Sequence, residues 1–317
     1  MLSFVTNRIG QTIPVVILVT IFVFLIINVI PGDPTITILG EFSTPEQREI
    51  ARQQYGFDRP VLVQYFDWVG KILSGDLGRS LHSKERVWEM LIDRLPVSLE
   101  LSALSLIIAL SVGIPAGILA ALNRGTLLDA IIGVVSAFAL SVPYFWLGVL
   151  LILLFAIFFQ ILPPSGYVPF VDSPVENLKL MILPALTIGL HVAALIVRQT
   201  RASILQVLNQ EYVRTAHAKG LPSSVVIWGH ILRNALIPVV TLVGLQLGNM
   251  LGGAIVTETI FSIPGLGSMV VDAVSTRDFP VVQSGVLLIV LLVISVNLLT
   301  DILYAYIDPR IRTTLLK

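Results

Sequence analysis

Long apolar runs alternate with short polar segments along most of the chain. An α-helix needs roughly 20 mostly apolar residues to cross the hydrocarbon core of a bilayer, and six of the runs come close to that length or exceed it. They lie at about residues 9–30, 97–122, 127–161, 179–197, 231–256 and 281–307. The pattern predicts an all-α polytopic membrane protein with six transmembrane helices.

The polar stretch between the first two runs is predicted to form a small helical region outside the membrane. Thr44, Pro45 and Gln47 make a capping box with proline at the first helical position, so a helix begins there and ends near Gly56. A second helix after Pro60 is amphipathic, with apolar residues on one face at Leu62, Tyr65, Phe66, Val69, Ile72 and Leu73. A third short helix is predicted at 84–94. The predicted regions are a cytoplasmic N-terminus with the first span at 1–30, the external region at 31–96, a five-span core at 97–307 with a cytoplasmic loop at 198–231, and a cytoplasmic tail at 308–317.

Several small or polar residues inside the spans are candidates for helix packing or for a polar pathway. Gly113 and Gly117 form a GxxxG pair that permits close helix contact. The residues predicted either to pack against another helix or to line a pathway are Gly244, Gly248, Gly252, Gln246, Asn249 and His191. An ionisable residue inside a membrane is a functional candidate, but for His191 an interhelical hydrogen bond is the stronger interpretation.

A polar island at 211–222 separates two long apolar runs and carries basic side chains. Residues 211–218 are predicted to form a short helix, because they include no helix breaker and Gly220 supplies a C-terminal stop. Tyr212, Thr215, Ala216 and Lys219 fall at helical spacing and share a face. The residues alone leave two alternatives open, which are a docking element for another protein and a solvated connection between spans.

The same island carries a family resemblance. The run RTAHAKG, preceded by EY and followed by ILRNALIP, resembles the cytoplasmic coupling loop of the membrane subunits of ABC importers, and most closely that of the dipeptide/oligopeptide permease family. The general loop pattern is EAA, three residues and glycine; Ala216 and Gly220 match it, while Arg214 and Thr215 depart from it in the way that the peptide-permease branch does. Further stretches agree with this family: PGDP at 31–34, GDLGRS at 75–80, ETIFSIPGLG at 258–267 and IDPRIR at 307–312. The resemblance assigns ATPase coupling to Glu211, Tyr212, Arg214, Thr215, Ala216, Ala218, Lys219 and Gly220.

The resemblance implies a six-helix permease that forms half of a translocation pathway for di- or oligopeptides. The implied partners are a second homologous permease subunit, two cytoplasmic ATPase subunits, an external solute-binding protein and the lipid bilayer. ATP and Mg would be bound by the ATPases, and no cofactor is expected in this chain. The implied location is the cytoplasmic membrane of a bacterium or archaeon. Import of another solute by the same architecture, such as glutathione, a nickel chelate or an oligosaccharide, stays an alternative.

Composition narrows the class of protein further. The 317 residues are 55% hydrophobic and only 13% charged, whereas a soluble domain has about 25% charged residues. The formal net charge is zero, so nothing indicates nucleic acid as a partner. The sequence has no phosphate-binding loop and no cysteine, which argues against an ATPase site and thiolate chemistry. The chain is therefore predicted not to be an enzyme.

The placement of charged residues predicts the membrane topology and helps to distinguish among the remaining classes of membrane protein. Basic residues gather in the loop at 198–233 and in the tail at 310–317, so the positive-inside rule places both termini and this loop in the cytoplasm. An ion-coupled secondary transporter is a less favoured alternative, because such proteins use intramembrane carboxylates and the spans here have few, mostly near their ends. A membrane scaffold without transport activity is opposed only by the resemblance of the loop.

Overall fold

The computed structural model describes residues 2–29, 36, 39 and 43–307, and the chain is predominantly helical within them. The helices are α1 (Leu2–Val29), α2 (Pro45–Tyr55), α3 (Val61–Leu73), α4 (Val87–Leu122), α5 (Leu127–Ser141), α6 (Tyr144–Leu151), α7 (Pro174–Leu208), α8 (Glu211–Ala218), α9 (Ile237–Ile260), α10 (Leu266–Thr276) and α11 (Phe279–Ile307). A π-helical stretch at Ile152–Phe158 extends α6, and an irregular helical segment at 223–235 joins α8 to α9. The predicted tail at 308–317 and the PGDP motif at 31–34 lie outside the described residues.

Five of the described helices, α1, α4, α7, α9 and α11, are long and apolar enough to cross a membrane. Helix α5 and the extended α6 pass the same test only together, and they are bent by 103° at the break between them. The predicted all-α polytopic fold is confirmed. Its third span differs from the prediction, since 127–161 is a sharply broken pair of helices rather than one span.

The second span begins ten residues earlier than predicted. Residues 84–94 were expected to form a separate helix, but α4 runs without interruption from Val87 through Pro96. The helix continues past the proline because Val87 and Leu91 are buried against α10 and α11, where they form one apolar cluster with Leu266 and Met269. The predicted boundary between the external region and the core at residue 96 therefore falls inside a helix.

The core of the protein is the tight contact between α4 and α7, which the glycine pair in α4 makes possible. A Cβ atom added to Gly113 would lie 2.7 Å from Cβ of Ile196, and one added to Gly117 would lie 2.6 Å from Cβ of Thr200. Gly189 of α7 meets α4 in the same way, since an added Cβ would lie 2.8 Å from the carbonyl oxygen of Ser105. Such distances leave no room for a side chain, so the predicted close approach at the GxxxG pair is confirmed.

The break between α5 and α6 is held by a hydrogen bond from α7. Pro143 has no N–H group, so it cannot donate to the carbonyl of Ala139 four residues earlier. Nδ1 of His191 lies 3.2 Å from that carbonyl oxygen, and the ring packs edge-on against Tyr144 with centroids 6.2 Å apart. A carbonyl oxygen accepts and never donates, so Nδ1 carries the proton. The interpretation of His191 as an interhelical hydrogen-bond donor is confirmed.

We expect His191→Phe to lower the thermal stability of the purified chain, while His191→Asn keeps most of it. Phenylalanine fills the space but leaves the partly buried Ala139 carbonyl without its donor, and a typical hydrogen bond contributes about 0.5–1.5 kcal/mol. The amide of asparagine places a donor near the position of Nδ1. Thermal unfolding of both variants in detergent is the measurement, and equal losses in the two would show that the hydrogen bond is unimportant.

Two polar networks tie α4 and the segment before it to the elements around α10. Asp278, between α10 and α11, accepts hydrogen bonds from the Ser80 hydroxyl and from the backbone N–H of Leu81. The fully buried carboxylate of Glu258 accepts from the Ser98 hydroxyl at 2.6 Å and from the N–H of Ser268 in the first turn of α10 at 3.0 Å. These networks account for two of the stretches that carry the resemblance, 75–80 and 258–267.

A third polar contact ties the loop between α6 and α7 to α4. The Tyr167 hydroxyl donates to Oε2 of Glu100 at 2.8 Å. Burial, together with that carboxylate, raises the pKa of Tyr167 to about 12. The phenol therefore stays protonated at every physiological pH, and the contact persists as a hydrogen bond.

Candidate functional site

Helix α8 occupies the residues predicted for the docking helix, Glu211–Ala218. Gln210 has an extended backbone and precedes the first turn, where the negative Glu211 complements the positive end of the helix dipole. Lys219 is the C-cap, and Gly220 has φ +72°, a conformation that favours glycine. The predicted helix and its stop at Gly220 are confirmed.

The inner face of α8 is set by Val213 and Ala216, which lie one turn apart. Val213 is 2% exposed and Ala216 is 6% exposed. Both pack into an apolar cluster at one end of the spans, whose other buried members are Ala121, Ile204, Val226, Ile231, Leu232 and Ala235. The prediction that Ala216 lies on an open face with Tyr212 and Thr215 is wrong, because Val213 is the most apolar residue of the helix and directs this side into the chain.

The outer face of α8 consists of small and charged side chains. Glu211, Arg214, Thr215 and Ala218 are all exposed, and helical geometry places them on the side opposite Val213 and Ala216. Arg214 pairs with Glu211 at 3.1 Å, but both side chains are solvent-exposed and such pairs contribute little to stability. The Thr215 hydroxyl donates to the carbonyl of Glu211, which leaves its methyl group and the methyl of Ala218 as the smooth part of this face.

Two further predicted residues lie at the edges of α8. Tyr212 is 41% exposed, and its hydroxyl accepts a hydrogen bond from Nδ2 of Asn234 at 3.1 Å. This bond ties the helix to the segment at 223–235. Lys219 is exposed at the C-terminal end. The structure therefore brings seven of the eight predicted coupling residues to the surface and buries the eighth, Ala216.

The sequence interpretation missed Trp228. This side chain is 71% exposed in the segment at 223–235, which packs against α8, and Val225 in the same segment is 47% exposed. Exposed large apolar side chains often mark interaction surfaces. The signal available in the sequence is a tryptophan six residues after Pro222, within the predicted cytoplasmic loop at 198–231.

An ion pair braces α7 just before α8. Arg201 donates to Oδ1 of Asp129 at 2.7 Å and to Oδ2 at 2.8 Å, and Asp129 also accepts from the backbone N–H of Gly125. Bidentate geometry of this kind fixes both position and orientation. It holds the start of α5 against the end of α7. Because Ile204 of α7 packs in the apolar cluster beneath α8, α7 links the ion pair to this cluster.

The residues predicted for helix packing or a pathway on α9 separate into two groups. Gly244 and Gly248 face α11, since a Cβ on Gly244 would overlap Thr300 and one on Gly248 would lie 3.0 Å from Oδ1 of Asn297. Gly252 instead has open space around its Cα. Gln246 and Asn249 share a loose hydrogen bond of 3.4 Å, and Asn249 is exposed. The glycine stripe thus packs within the chain at two positions and opens outward at the third.

Comparison with known proteins identifies the chain. Residues 113–313 match the family described as binding-protein-dependent transport system inner membrane component, and residues 1–102 match the N-terminal family of the same membrane components. The chain belongs to this family. It is the membrane subunit of an ABC importer, and the permease lies in the inner membrane in bacteria.

Relatives cover the permease almost end to end. It is 43% identical to the di/tripeptide transport system permease protein DppB of Pseudomonas aeruginosa (strain UCBPP-PA14), with 98% of this chain and 99% of the relative covered. The dipeptide transport system permease protein DppB of Escherichia coli (strain K12) is also 43% identical at the same coverage. A putative peptide transport system permease protein of Brucella abortus (strain 2308) is 39% identical, again over 98% of this chain and 99% of the relative. These relatives place the permease in the peptide branch of the family.

Solved structures support the same fold. An inward-facing form of the MetNI methionine ABC transporter matches with a TM-score of 0.55 at 17% identity, covering 69% of this chain and 96% of that chain. An amino acid ABC transporter with histidines matches with a TM-score of 0.51 at 14% identity, covering 69% and 94%. The family is that of a transport permease and not of an ATPase, so ATP hydrolysis belongs to partner subunits. Its membership implies an ATPase and a binding protein as partners.

Proposed function

We propose that this permease forms half of the translocation pathway for di- or oligopeptides. The observation that carries the proposal is 43% identity, over nearly the full length of both chains, to two permeases named for dipeptide and di/tripeptide transport. The remaining half of the pathway is supplied by a second homologous permease. A solute-binding protein delivers the peptide from outside.

Substrate competition in reconstituted vesicles tests the peptide assignment. The transporter is assembled with its own binding protein, and ATP-dependent uptake of a labelled dipeptide is measured. Excess unlabelled di- and tripeptides should abolish uptake, whereas glutathione, a nickel chelate or an oligosaccharide should not. Absence of ATP-dependent dipeptide uptake, together with ATP-dependent uptake of one of these other solutes, would overturn the assignment and keep the importer architecture.

The outer face of α8 is proposed as the contact with the ATPases. Glu211, Arg214, Thr215 and Ala218 offer a short, exposed face with two small residues, which permits close approach of another surface. Two ATPase subunits, identical or different, bind ATP and Mg, and this chain holds neither. Tyr212, Lys219 and Gly220 fix the ends of the helix and form the rim of the contact.

The buried face of α8 supplies the mechanical link from that contact to the spans. Val213 and Ala216 pack with Ala121 at the end of α4, with Ile204 near the end of α7, and with Ile231 before α9. A packed apolar cluster transmits displacement because it is dense and poorly compressible. Closure of the ATPases on ATP therefore carries the ends of the three spans together with α8. Each state of the pathway is populated according to the ligands that bind it preferentially.

The open face of α9 is proposed as part of the pathway. Asn249 and Gly252 are exposed on α9, Gln246 beside Asn249 is half-buried, and a Cβ added to Gly252 would meet nothing within 4 Å. Amide side chains can exchange hydrogen bonds with a peptide backbone, and Gly252 widens the passage. His191 is not included in this proposal, because its Nδ1 is engaged at the break between α5 and α6.

The proposed topology has both termini and α8 in the cytoplasm and the region at 44–86 outside. The chain has no cysteine, so a single one can be introduced without background. In intact cells, a cysteine replacing the exposed Ser83 should react with a membrane-impermeant maleimide, while one replacing Ala218 should react only after permeabilisation. The reverse pattern would invert the topology.

A further inference from the structure

The apolar surface of helix α3 is much wider than the part of it that contacts the rest of the described chain. Its polar side chains Gln64, Asp67 and Lys71 lie together on one narrow side, and Asp67 is paired there with Arg59 at 2.9 Å. The remaining circumference is apolar or aromatic, apart from Gly70. Helical geometry leaves well under half of the surface to the polar side.

Helix α1 covers only one part of this apolar surface. Tyr65 and Trp68 pack on Phe24 with ring centroids 5.5 and 5.8 Å away, and the Tyr65 and Thr20 hydroxyls are 2.8 Å apart. Beside this contact, Leu62 is 72% exposed, Phe66 is 66% exposed and Leu73 is 83% exposed. No residue of α3 is buried.

The contact with α1 fixes the depth of α3 relative to the membrane. Arg8 and Asp301 pair at 3.4 Å and mark one boundary of the hydrocarbon, because a charge pair is costly at its centre. At about 1.5 Å per residue, Thr20 lies about 18 Å and Phe24 about 24 Å along α1 from Arg8. The hydrocarbon core is about 30 Å thick. Thr20 and Phe24, and therefore the side chains of α3 that touch them, lie short of the far boundary.

The uncovered surface of α3 also continues a lipid-facing surface. On α1, Ile13 is 55% exposed and Ile17 is 49% exposed, on the side that also carries Thr20 and Phe24 and within a span that a bilayer must surround. Tyr65 and Trp68 stand at the depth where aromatic residues concentrate in membrane proteins. The 13 residues of α3 are too few to cross the bilayer, and a helix with a broad apolar side and a charged side can lie in the interface with its apolar side about 5–10 Å deep.

We propose that α3 is an interfacial helix, which lies along the membrane surface opposite Arg8 with Leu62, Phe66 and Leu73 against lipid acyl chains. Asp67 and Lys71 then face the headgroups and water. The helix anchors the external region to the bilayer at the far end of α1. This proposal concerns the membrane and does not depend on which solute the permease carries.

Collision accessibility of spin labels tests it in the assembled transporter. Single cysteines replace Phe66 or Leu73 on the apolar side and Asp67 or Lys71 on the polar side, and each variant is reconstituted in vesicles of phosphatidylethanolamine and phosphatidylglycerol. Labels at Phe66 and Leu73 should collide more often with oxygen, which concentrates in acyl chains, than with a water-soluble nickel chelate. Labels at Asp67 and Lys71 should show the opposite ratio.

Two results would overturn the proposal. If the labels at Phe66 and Leu73 collide mainly with the nickel chelate, α3 stands in water. If they are shielded from both reagents, protein covers this side, and repeating the measurement without the binding protein shows whether that protein or the second permease is the occupant. Peptide uptake by the same variants reports separately on the proposed function.

Discussion

Replacing Gly117 with leucine should leave little folded permease to recover from membranes. A Cβ atom at this position would lie 2.6 Å from Cβ of Thr200 and 2.9 Å from the carbonyl oxygen of Val197. The second of these is a backbone atom of α7, so a rotamer change cannot relieve the overlap, and α4 and α7 must separate. Overpacking typically costs about 1–3 kcal/mol, and a leucine against backbone belongs at the upper end.

The matched control for this prediction is Gly133→Leu. Gly133 also lies within a helix of the core, but it is exposed and an added Cβ would meet nothing within 4 Å. The change in helix propensity is the same at both sites, so a difference between the variants reports packing alone. The measurement is the fraction of chain that elutes as a monodisperse species in detergent, with its unfolding temperature. Equal recovery of the two variants would contradict the close packing of α4 and α7.

Ala218→Trp should abolish ATP-driven transport while the permease still folds and inserts. Ala218 lies on the outer face of α8, opposite the buried Val213 and Ala216, so a large side chain there meets no part of the described chain and meets only what docks on it. An exposed substitution away from special features changes stability by about ±0.5 kcal/mol. The loss should therefore appear as ATPases that no longer co-purify, or as ATP hydrolysis that no longer depends on substrate.

Two further variants serve as comparisons for this prediction. Ala218→Ser keeps the residue small and should transport like the parent. Ala216→Glu should fail for another reason, since it places a carboxylate in the apolar cluster beneath α8 and destabilises the loop itself. Normal transport and normal ATPase binding by Ala218→Trp would leave α8 as a connection between spans and nothing more.

Much of this fold follows from the sequence because its strongest signals are local. The lengths of the apolar runs predicted the spans, the Thr44–Gln47 capping box predicted the start of α2, and Gly220 predicted the end of α8. The capping box has both of its reciprocal hydrogen bonds. The glycine pair in α4 indicated a close helix contact because its four-residue spacing places two residues without side chains on one side of an apolar span. The partner helix, α7, could not be named from the sequence, since no local pattern encodes it.

The errors lie where tertiary contacts decide between two local outcomes. Pro143 breaks its predicted span, whereas α4 continues through Pro96, which comes just before the apolar run at 97–122. The difference is that α10 and α11 bury Val87 and Leu91 of the turns before Pro96, whereas His191 stabilises the broken form at Pro143. In α8, spacing alone grouped Ala216 with Tyr212 and Thr215. Val213 would have given the correct inner face, because a single strongly apolar residue in a polar helix sets the direction of burial.

The central claim is that the outer face of α8 contacts the ATPases, and single-cysteine cross-linking in the assembled transporter tests it most directly. Cysteine-free ATPase variants with one cysteine scanned across their surface are combined with permeases carrying Ala218→Cys, Thr215→Cys or, as a control on the proposed external side, Ser83→Cys. Short bifunctional maleimides should join Ala218 and Thr215 to an ATPase, with a yield that changes between the nucleotide-free and ATP-bound states, and should never join Ser83. Cross-links from other cytoplasmic positions together with none from Ala218 or Thr215 would contradict the account.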